Sequence, residues 1–276
     1  MRAPLVILVA LACLGPGSAA LADAAYLSKE GMIDNAGVIA LVAIDRVEKT
    51  ETKGAHFIYR KKAIMTPLRV LKGDLRKGAV LYADESFLCA RTAVEPGKAL
   101  VFLRRDGSYL VSNNWELGVR QVEDDKLEWP EGGTNPALSR QNLDKVIAEI
   151  MKELKLSAIR KARYFCDGAM GEGGERPPEY LAFVSFASGK TSISLADLEK
   201  LLGGSGTTAE GKLYAALLAR KLYRKDSEKD LRKLAGNKTS LNMRSGCEAF
   251  ETTLGEAISE LLEHGKLKYL DFGPVL

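Results

Sequence analysis

The stretch "KALVFLRRDGSYLVSNNW", Lys98 to Trp115, decides how the first half of this chain is read. An apolar run, Ala99 to Leu103, leads through Arg104-Arg105 to Asp106-Gly107, and a second run, Tyr109 to Val111, follows. Asp-Gly between two such runs is a strong hairpin signal, because glycine takes the positive φ that a tight turn requires. On the N-terminal side, "GVIALVAIDRVEKTET" (Gly37–Thr52) is β-rich and becomes alternating. "HFIYRKKAIMTPLRVLKG" (His56–Gly73) interleaves apolar and charged residues. Pro67 has no N–H for a ladder, so the centre of this strand is expected at a bulge or an edge. The turn "KGDLRKG", a short strand "AVLYADES" and a further short hairpin, "LGVRQVEDDKLEW", complete the set. Five or more short strands in one stretch predict a small barrel or sandwich, and a barrel removes exposed edges by closing on itself.

From about Leu138 onward the pattern turns helical. "NLDKVIAEIMKEL" places Leu143, Val146, Ile147, Ile150 and Leu154 at helical spacing. Ser194-x-x-Asp197 caps "LADLEKLL", and Thr253-x-x-Glu256 is a capping box before "AISELL". Helices are also expected over Gly211–Tyr223 and over Ser227–Leu234, the latter stopped by Gly236. "EYLAFVSFAS" (Glu179–Ser188) reads as the one strand of this half. "EWPEGGTNP" (Glu128–Pro136) is rich in turn formers and reads as a linker. The expectation is an α+β protein with a β-barrel domain over residues 28–130 and a mainly α-helical domain over residues 136–276.

The N-terminus, "MRAPLVILVALACLGPGSAALADAA", has the layout of a secretory signal peptide. Arg2 forms the basic region, Leu5 to Leu14 the apolar core, and Ala20-Leu21-Ala22 the cleavage motif. Cleavage is expected after Ala22, which makes residues 1–22 the signal and the product exported, periplasmic or extracellular. A lipoprotein signal ending at Cys13 is the rival reading. Losing Arg2 and no acidic residue takes the net charge from +4 to +3. That near-neutral balance gives no argument for nucleic acid, and no run beyond the signal approaches membrane-spanning length. Removing Cys13 from the 4 cysteines leaves Cys89, Cys166 and Cys247. Export makes disulfides possible, and an odd number leaves one thiol over. A Cys166–Cys247 bond is expected, with Cys89 the unpaired thiol.

Several motifs invite chemistry. "GTTAEGKL" (Gly206–Leu213) resembles a phosphate-binding loop, but Leu213 stands where the metal-binding hydroxyl is needed. An inter-helix loop capped by Thr207 or Thr208 is the simpler reading. The chain has 2 histidines, His56 and His264, and no spacing that converges into a zinc site. Carboxylates recur at Asp84-Glu85, Asp124-Asp125, Glu128 and Glu131, and Asp124-Asp125 reads as a turn. Trp115 and Trp129 flank the last β segment and are expected to pack rather than stack on a ligand. Asn237-Lys238-Thr239 is a glycosylation sequon. No metal, cofactor or catalytic residue is expected.

The order of the β segments, from "NAGVIALVAIDRVEKTE" through "RVLKGDLRKG" to "ESFLCARTAVEPGKALVFLRRDGSYLVSNNW", resembles the netrin-like module of the tissue inhibitors of metalloproteinases over residues 34–115. The match rests on Ser86, Cys89, Gly97-Lys98 and the strand Leu100–Leu103. It implies a five-stranded OB-like barrel. The family grips the catalytic zinc of its target through an N-terminal cysteine bonded to the one that Cys89 matches. "DAAYLSKEGMIDNAG" holds no cysteine, so that inhibitory device is missing here. The helical half resembles secreted bacterial proteins of unassigned function. The function expected is non-catalytic: an exported binding or protein-interaction protein with an unidentified protein or small-molecule partner. A protease-inhibitor-like module acting through a barrel loop and a hydrolase using a carboxylate pair are the alternatives.

Overall fold

The structure, a computed structural model, describes residues 26–87, 90–131, 137–170, 174–268, 270 and 272. These residues form a mixed α+β fold. A short helix α1 (Lys29–Asn35) comes first, capped by Ser28, whose Oγ accepts the Gly31 N–H. Five strands follow: β1 (Val38–Lys53), β2 (Ile58–Lys72), β3 (Ala79–Glu85), β4 (Gly97–Asp106) and β5 (Tyr109–Ser112). They pair in the order β1-β2-β3-β5-β4, and β4 returns to β1, so the pairings form a ring. The β3–β5 pair is parallel and the others are antiparallel. A short β6 (Val119–Gln121) adds to β4 outside the ring.

Two local readings hold in detail. Asp106 pairs with Tyr109 across Gly107-Ser108, and Gly107 has φ +63°. Around Pro67 the β1–β2 register shifts: Leu41 faces Arg69 and Val42 faces Pro67, which leaves Leu68 as the extra, exposed residue of a bulge.

The first half of β1 (Val38–Ile44) and the middle of β4 (Ala99–Leu103) are apolar continuously because both of their faces are covered. Val38, Ala40, Val42, Ala99, Val101 and Leu103 point into the ring with Ala63, Met65, Leu81 and Ala83. The intervening Ile39, Leu41, Leu100 and Phe102 point outward into a second core. That core is completed by Met32 and Ile33 of α1, by Trp129, and by Leu143, Val146, Ile147 and Ile150. The last four lie on α2 (Leu143–Arg160), on the stripe that the helical spacing predicted.

The segment read as a linker departs from that reading. Lys126–Glu131 is strand β7, antiparallel to β8 (Ala137–Asn142), and residues 132–136 lie outside the described ones. Trp129 is fully buried, 5.8 Å from Phe102 between ring centroids, and its indole N–H donates to Glu149 Oε2 at 3.2 Å. Turn-forming composition was outweighed here by the burial of one large aromatic side chain. The hairpin feeds directly into α2, whose first N–H groups are accepted by the Asn142 side chain. Asp124 and Asp125 form the turn expected of them, both at positive φ, between the paired Glu123 and Lys126.

The remaining elements are β9 (Phe165–Met170), α3 (Pro178–Ala187), α4 (Leu195–Gly203), α5 (Ala209–Leu222), α6 (Arg224–Leu234), β10 (Ser240–Gly246), β11 (Glu248–Thr253) and α7 (Leu254–His264). Both expected capping boxes form, at Ser194–Asp197 and Thr253–Glu256. "EYLAFVSFAS" lies in α3 and is not a strand. A short apolar run has no decisive periodicity, and Pro178 at the first helical position pre-sets a helix. Tyr180, Phe183, Phe186 and Ala187 are buried on its inner face while Leu181 is half exposed. The strands of this half are instead β9, β10 and β11, with β10 antiparallel to β11 and parallel to β9. Among the described residues, no helix is long and apolar enough to cross a membrane.

Because Trp129 fills the seam between ring and α2, Trp129→Ala should destabilise the protein by about 3–5 kcal/mol. Leu138→Ala, at a 44% exposed position, should stay within about 0.5 kcal/mol. Urea denaturation followed by circular dichroism measures both.

Candidate functional site

At one end of the ring, three segments that are far apart in sequence meet: the β1–β2 loop, the end of β3, and the residues after β5. Asp106, the last residue of β4 and only 1% exposed, anchors the group. The Tyr59 hydroxyl donates to its Oδ2 at 2.7 Å, and His56 Nδ1 lies 2.7 Å from its Oδ1. The β1–β2 loop can descend this far because residue 54 is glycine. A Cβ there would stand 2.2 Å from Asp106 Oδ2 and 2.6 Å from the Tyr59 ring. The imidazole itself is largely exposed, at 69%.

Beside this polar group stands a half-buried aromatic cluster. Trp115 stacks on Phe87 with centroids 5.1 Å apart and meets Phe57 edge-on at 5.4 Å. Trp115 is held at φ +49° and Asp84 at φ +56°, an uncommon conformation for residues with a Cβ. Asn114 fixes the approach of the N-terminal segment: its Oδ1 accepts the Leu27 N–H at 2.9 Å and its Nδ2 donates to the Leu27 carbonyl at 3.2 Å. Asn113 Nδ2 donates to the Met32 carbonyl at 3.0 Å. A recess of about 280 Å³ opens here, lined by Leu27, Phe57, Tyr59, Glu85, Arg104 and Trp115 among others.

The carboxylates at this end are already engaged. Glu85, 2% exposed, accepts the Thr92 N–H at 2.7 Å and the Thr92 hydroxyl at 2.8 Å. This draws the chain after residue 90 onto the ring. Burial alone would raise the Asp106 carboxyl, but hydrogen bonds from Tyr59 and His56 reverse the shift and hold it below the ordinary aspartate value. Burial and the Asp106 carboxylate push the Tyr59 phenol up.

The structure gathers His56, Asp84, Glu85, Ser86 and Trp115 at this end. Ser86 Oγ accepts the Ile58 N–H at 3.0 Å. Cys89 falls outside the described residues. The remaining candidates lie elsewhere. Thr208 caps α5 by accepting the Gly211 N–H, and its hydroxyl donates to the Ala162 carbonyl at 2.9 Å. Gly211 is small because α5 presses on α2: a Cβ would lie 2.3 Å from the Ile159 carbonyl oxygen. The phosphate-loop resemblance is thus a helix-packing device. Asn237 Oδ1 accepts the Thr239 N–H at 2.9 Å in a turn, and His264 ends α7 before Gly265 at φ +76°. Among the described residues, no three His, Cys, Asp or Glu side chains could together hold a metal ion.

The expected Cys166–Cys247 bond is not formed; both thiols are free. In the parallel β9–β10 register Cys166 faces Arg244, while Cys247 lies beyond Gly246 in the turn to β11. Cys166 points instead into the helical core, where the Tyr214 hydroxyl accepts its N–H at 2.9 Å. Burial pushes the Cys166 thiol up, against hydrogen bonding with the Tyr214 hydroxyl and the Gly168 backbone. Cys247 is exposed.

Tyr59, Asp106, Asn113, Asn114 and Gly54 were not singled out from sequence. Asp106 carried a turn signal only, and its partners lie about fifty positions away. Because its folded value is depressed, its contribution to stability is complete above the unfolded aspartate value of about 3.9 and is lost as pH falls through the folded value. Wild-type stability should therefore fall more steeply below about pH 4 than that of Asp106→Asn. Urea midpoints measured across the acid range test this, and equal acid slopes would refute the role given to Asp106.

Compared with known proteins, the chain matches no family model and no curated relative.

Proposed function

We propose that this is an exported, non-catalytic binding protein whose ring end is a protein-interaction surface. The observation that carries the reading is the half-buried Phe57–Phe87–Trp115 cluster, with Trp115 and Asp84 both at positive φ. Aromatic side chains are favoured as contact anchors because they bury large area at small entropic cost. The exposed Ile58 adjoins the cluster at the start of β2. Engagement of Glu85 by Thr92, and of Asp106 by Tyr59 and His56, favours a positioning role for these carboxylates over acid–base work.

We further read the ring as an OB-like barrel: five strands in the order β1-β2-β3-β5-β4, with β4 returning to β1, support it. The resemblance to the netrin-like module over residues 34–115 and the division into units of residues 28–130 and 136–276 belong to the same reading. So does export with cleavage after Ala22, a position outside the described residues. A protease-inhibitor-like activity through a barrel loop is the second reading. It is favoured by the β1–β2 loop, which carries His56 and leads into Ile58 beside the aromatic cluster. The hydrolase alternative rests on a carboxylate pair; among the described residues at this end, His56 beside Asp106 is also a contact of acid–base type.

A photo-crosslinking residue at position 58 should trap a discrete exported protein, and Trp115→Ala should abolish that product with helical content unchanged. Inhibition of one protease in a panel of metallo- and serine enzymes would select the inhibitor reading. Substrate turnover lost on His56→Ala would overturn the non-catalytic one.

A further inference from the structure

The ring and the helices enclose a second concavity, at the far end of β2 from the aromatic cluster. It holds about 620 Å³, within the range that small-molecule sites occupy. Its walls come from three places: Lys72 at the end of β2, the second half of α2, and the segment around β9 that leads into α3. Sites of this kind favour the seams between structural units.

The lining has two characters. Leu154, Ala158, Met170, Pro177 and Pro178 form an apolar wall. The same lining carries the cations Lys72, Lys161, Arg163 and Arg176 and the two carboxylates Glu175 and Glu179. Glu179 is turned into the wall, 8% exposed, with Oε1 accepting the Arg163 N–H at 3.3 Å. Asp34 lies behind the lining and is matched by Arg160 at 3.2 Å and Lys161 at 3.1 Å. The guanidinium groups of Arg163 and Arg176 form no ion pair with a described residue. Lys72 gives two of its three N–H groups to the Ile33 and Asp34 carbonyls at 3.0 and 2.9 Å, leaving one donor. Burial lowers the Lys72 ammonium, Asp34 opposes this, and Lys161 adds to it. Burial is the chief cause of that shift, and Asp34 outweighs Lys161 in the charge balance at Lys72. The first turn of α3, which has no side-chain cap, opens onto the same space.

We propose that this cleft binds a small amphiphilic anion. Its carboxylate or phosphate sits among Lys72, Lys161, Arg163 and Arg176, and its hydrocarbon body lies on Leu154, Ala158, Met170 and the two prolines. An anion at that position accepts the remaining Lys72 donor and engages guanidinium groups suited to bidentate pairing. The apolar wall accounts for affinity beyond that of a bare anion. This inference goes beyond the interaction surface at the ring end and does not depend on it.

Calorimetric titration of the full mature chain tests it, with decanoate, decyl phosphate, decyltrimethylammonium and acetate as probes. Decanoate or decyl phosphate should bind at least about tenfold more tightly than the cation of equal chain length and than acetate. The tighter of the two anions identifies the headgroup. Arg163→Glu with Arg176→Glu, both at exposed positions, should weaken the anion at least about tenfold. Ala158→Trp, which fills the cleft, should remove binding, and Trp115→Ala should leave it unchanged. Equal binding of the anion and the cation, no binding of either anion up to about 1 mM, or indifference to both cleft variants would overturn the proposal.

Discussion

The first half of β1 and the middle of β4 are buried on both faces, and this constraint ties the ring to the helices packed on it. Their inner residues close the ring, since β4 must return to β1 for the circuit of pairings to be complete. Their outer residues, Ile39, Leu41, Leu100 and Phe102, form the floor on which α1, Trp129 and α2 rest. Each fully buried aliphatic side chain contributes about 1.5–3 kcal/mol, so a polar residue on either face would cost heavily. The ring interior tolerates only small volumes where strands converge, and Ala40, Ala63, Ala83 and Ala99 meet that need with no exposure.

Both concave features follow from this arrangement. Closing the ring brings the β1–β2 loop over the end of β4, where Asp106 fixes it through Tyr59 and His56. Packing α2 against the outer face of the same ring carries its second half past the other end of β2. There Lys72 and Lys161 come to share one cleft. The α1 segment takes part in each: Asn114 clips Leu27 at the ring end, and Asp34 balances Arg160 and Lys161 behind the cleft. Concave surfaces built this way rest directly on the cores beneath them.

The helical half is organised around a different centre. Tyr214 of α5 reaches across to β9, where its hydroxyl accepts the Cys166 N–H and donates to the Cys166 carbonyl. Phe165 and Phe183 pack against its ring, and Phe272 packs on both of them. A cysteine in that position serves as a small apolar side chain with a weak donor, which suits a close-packed core. Crosslinking it to an exposed turn would require pulling it out of this contact.

Much of the local structure was legible in the residues themselves. The Asp106-Gly107 turn, the bulge at Pro67, the stripe on α2 and the capping boxes of α4 and α7 each depend on neighbours a few positions away. The errors came where local signals were balanced. "EYLAFVSFAS" is apolar on nearly every side, and the sequence around Trp129 mixes turn formers with one dominant aromatic. Short alternating strands such as β10, with Leu241 and Met243 buried and polar residues between, carry too few positions to stand out. The residue order alone specifies the elements whose faces, ends and turns are governed by near neighbours. Packing of the whole chain sets that His56, Tyr59 and Asp106 share one contact, that Cys166 turns away from Cys247, and that Lys72 and Lys161 line one cleft. Those pairings are selected by how apolar faces exclude water together, a property of the whole packed chain that no single stretch encodes.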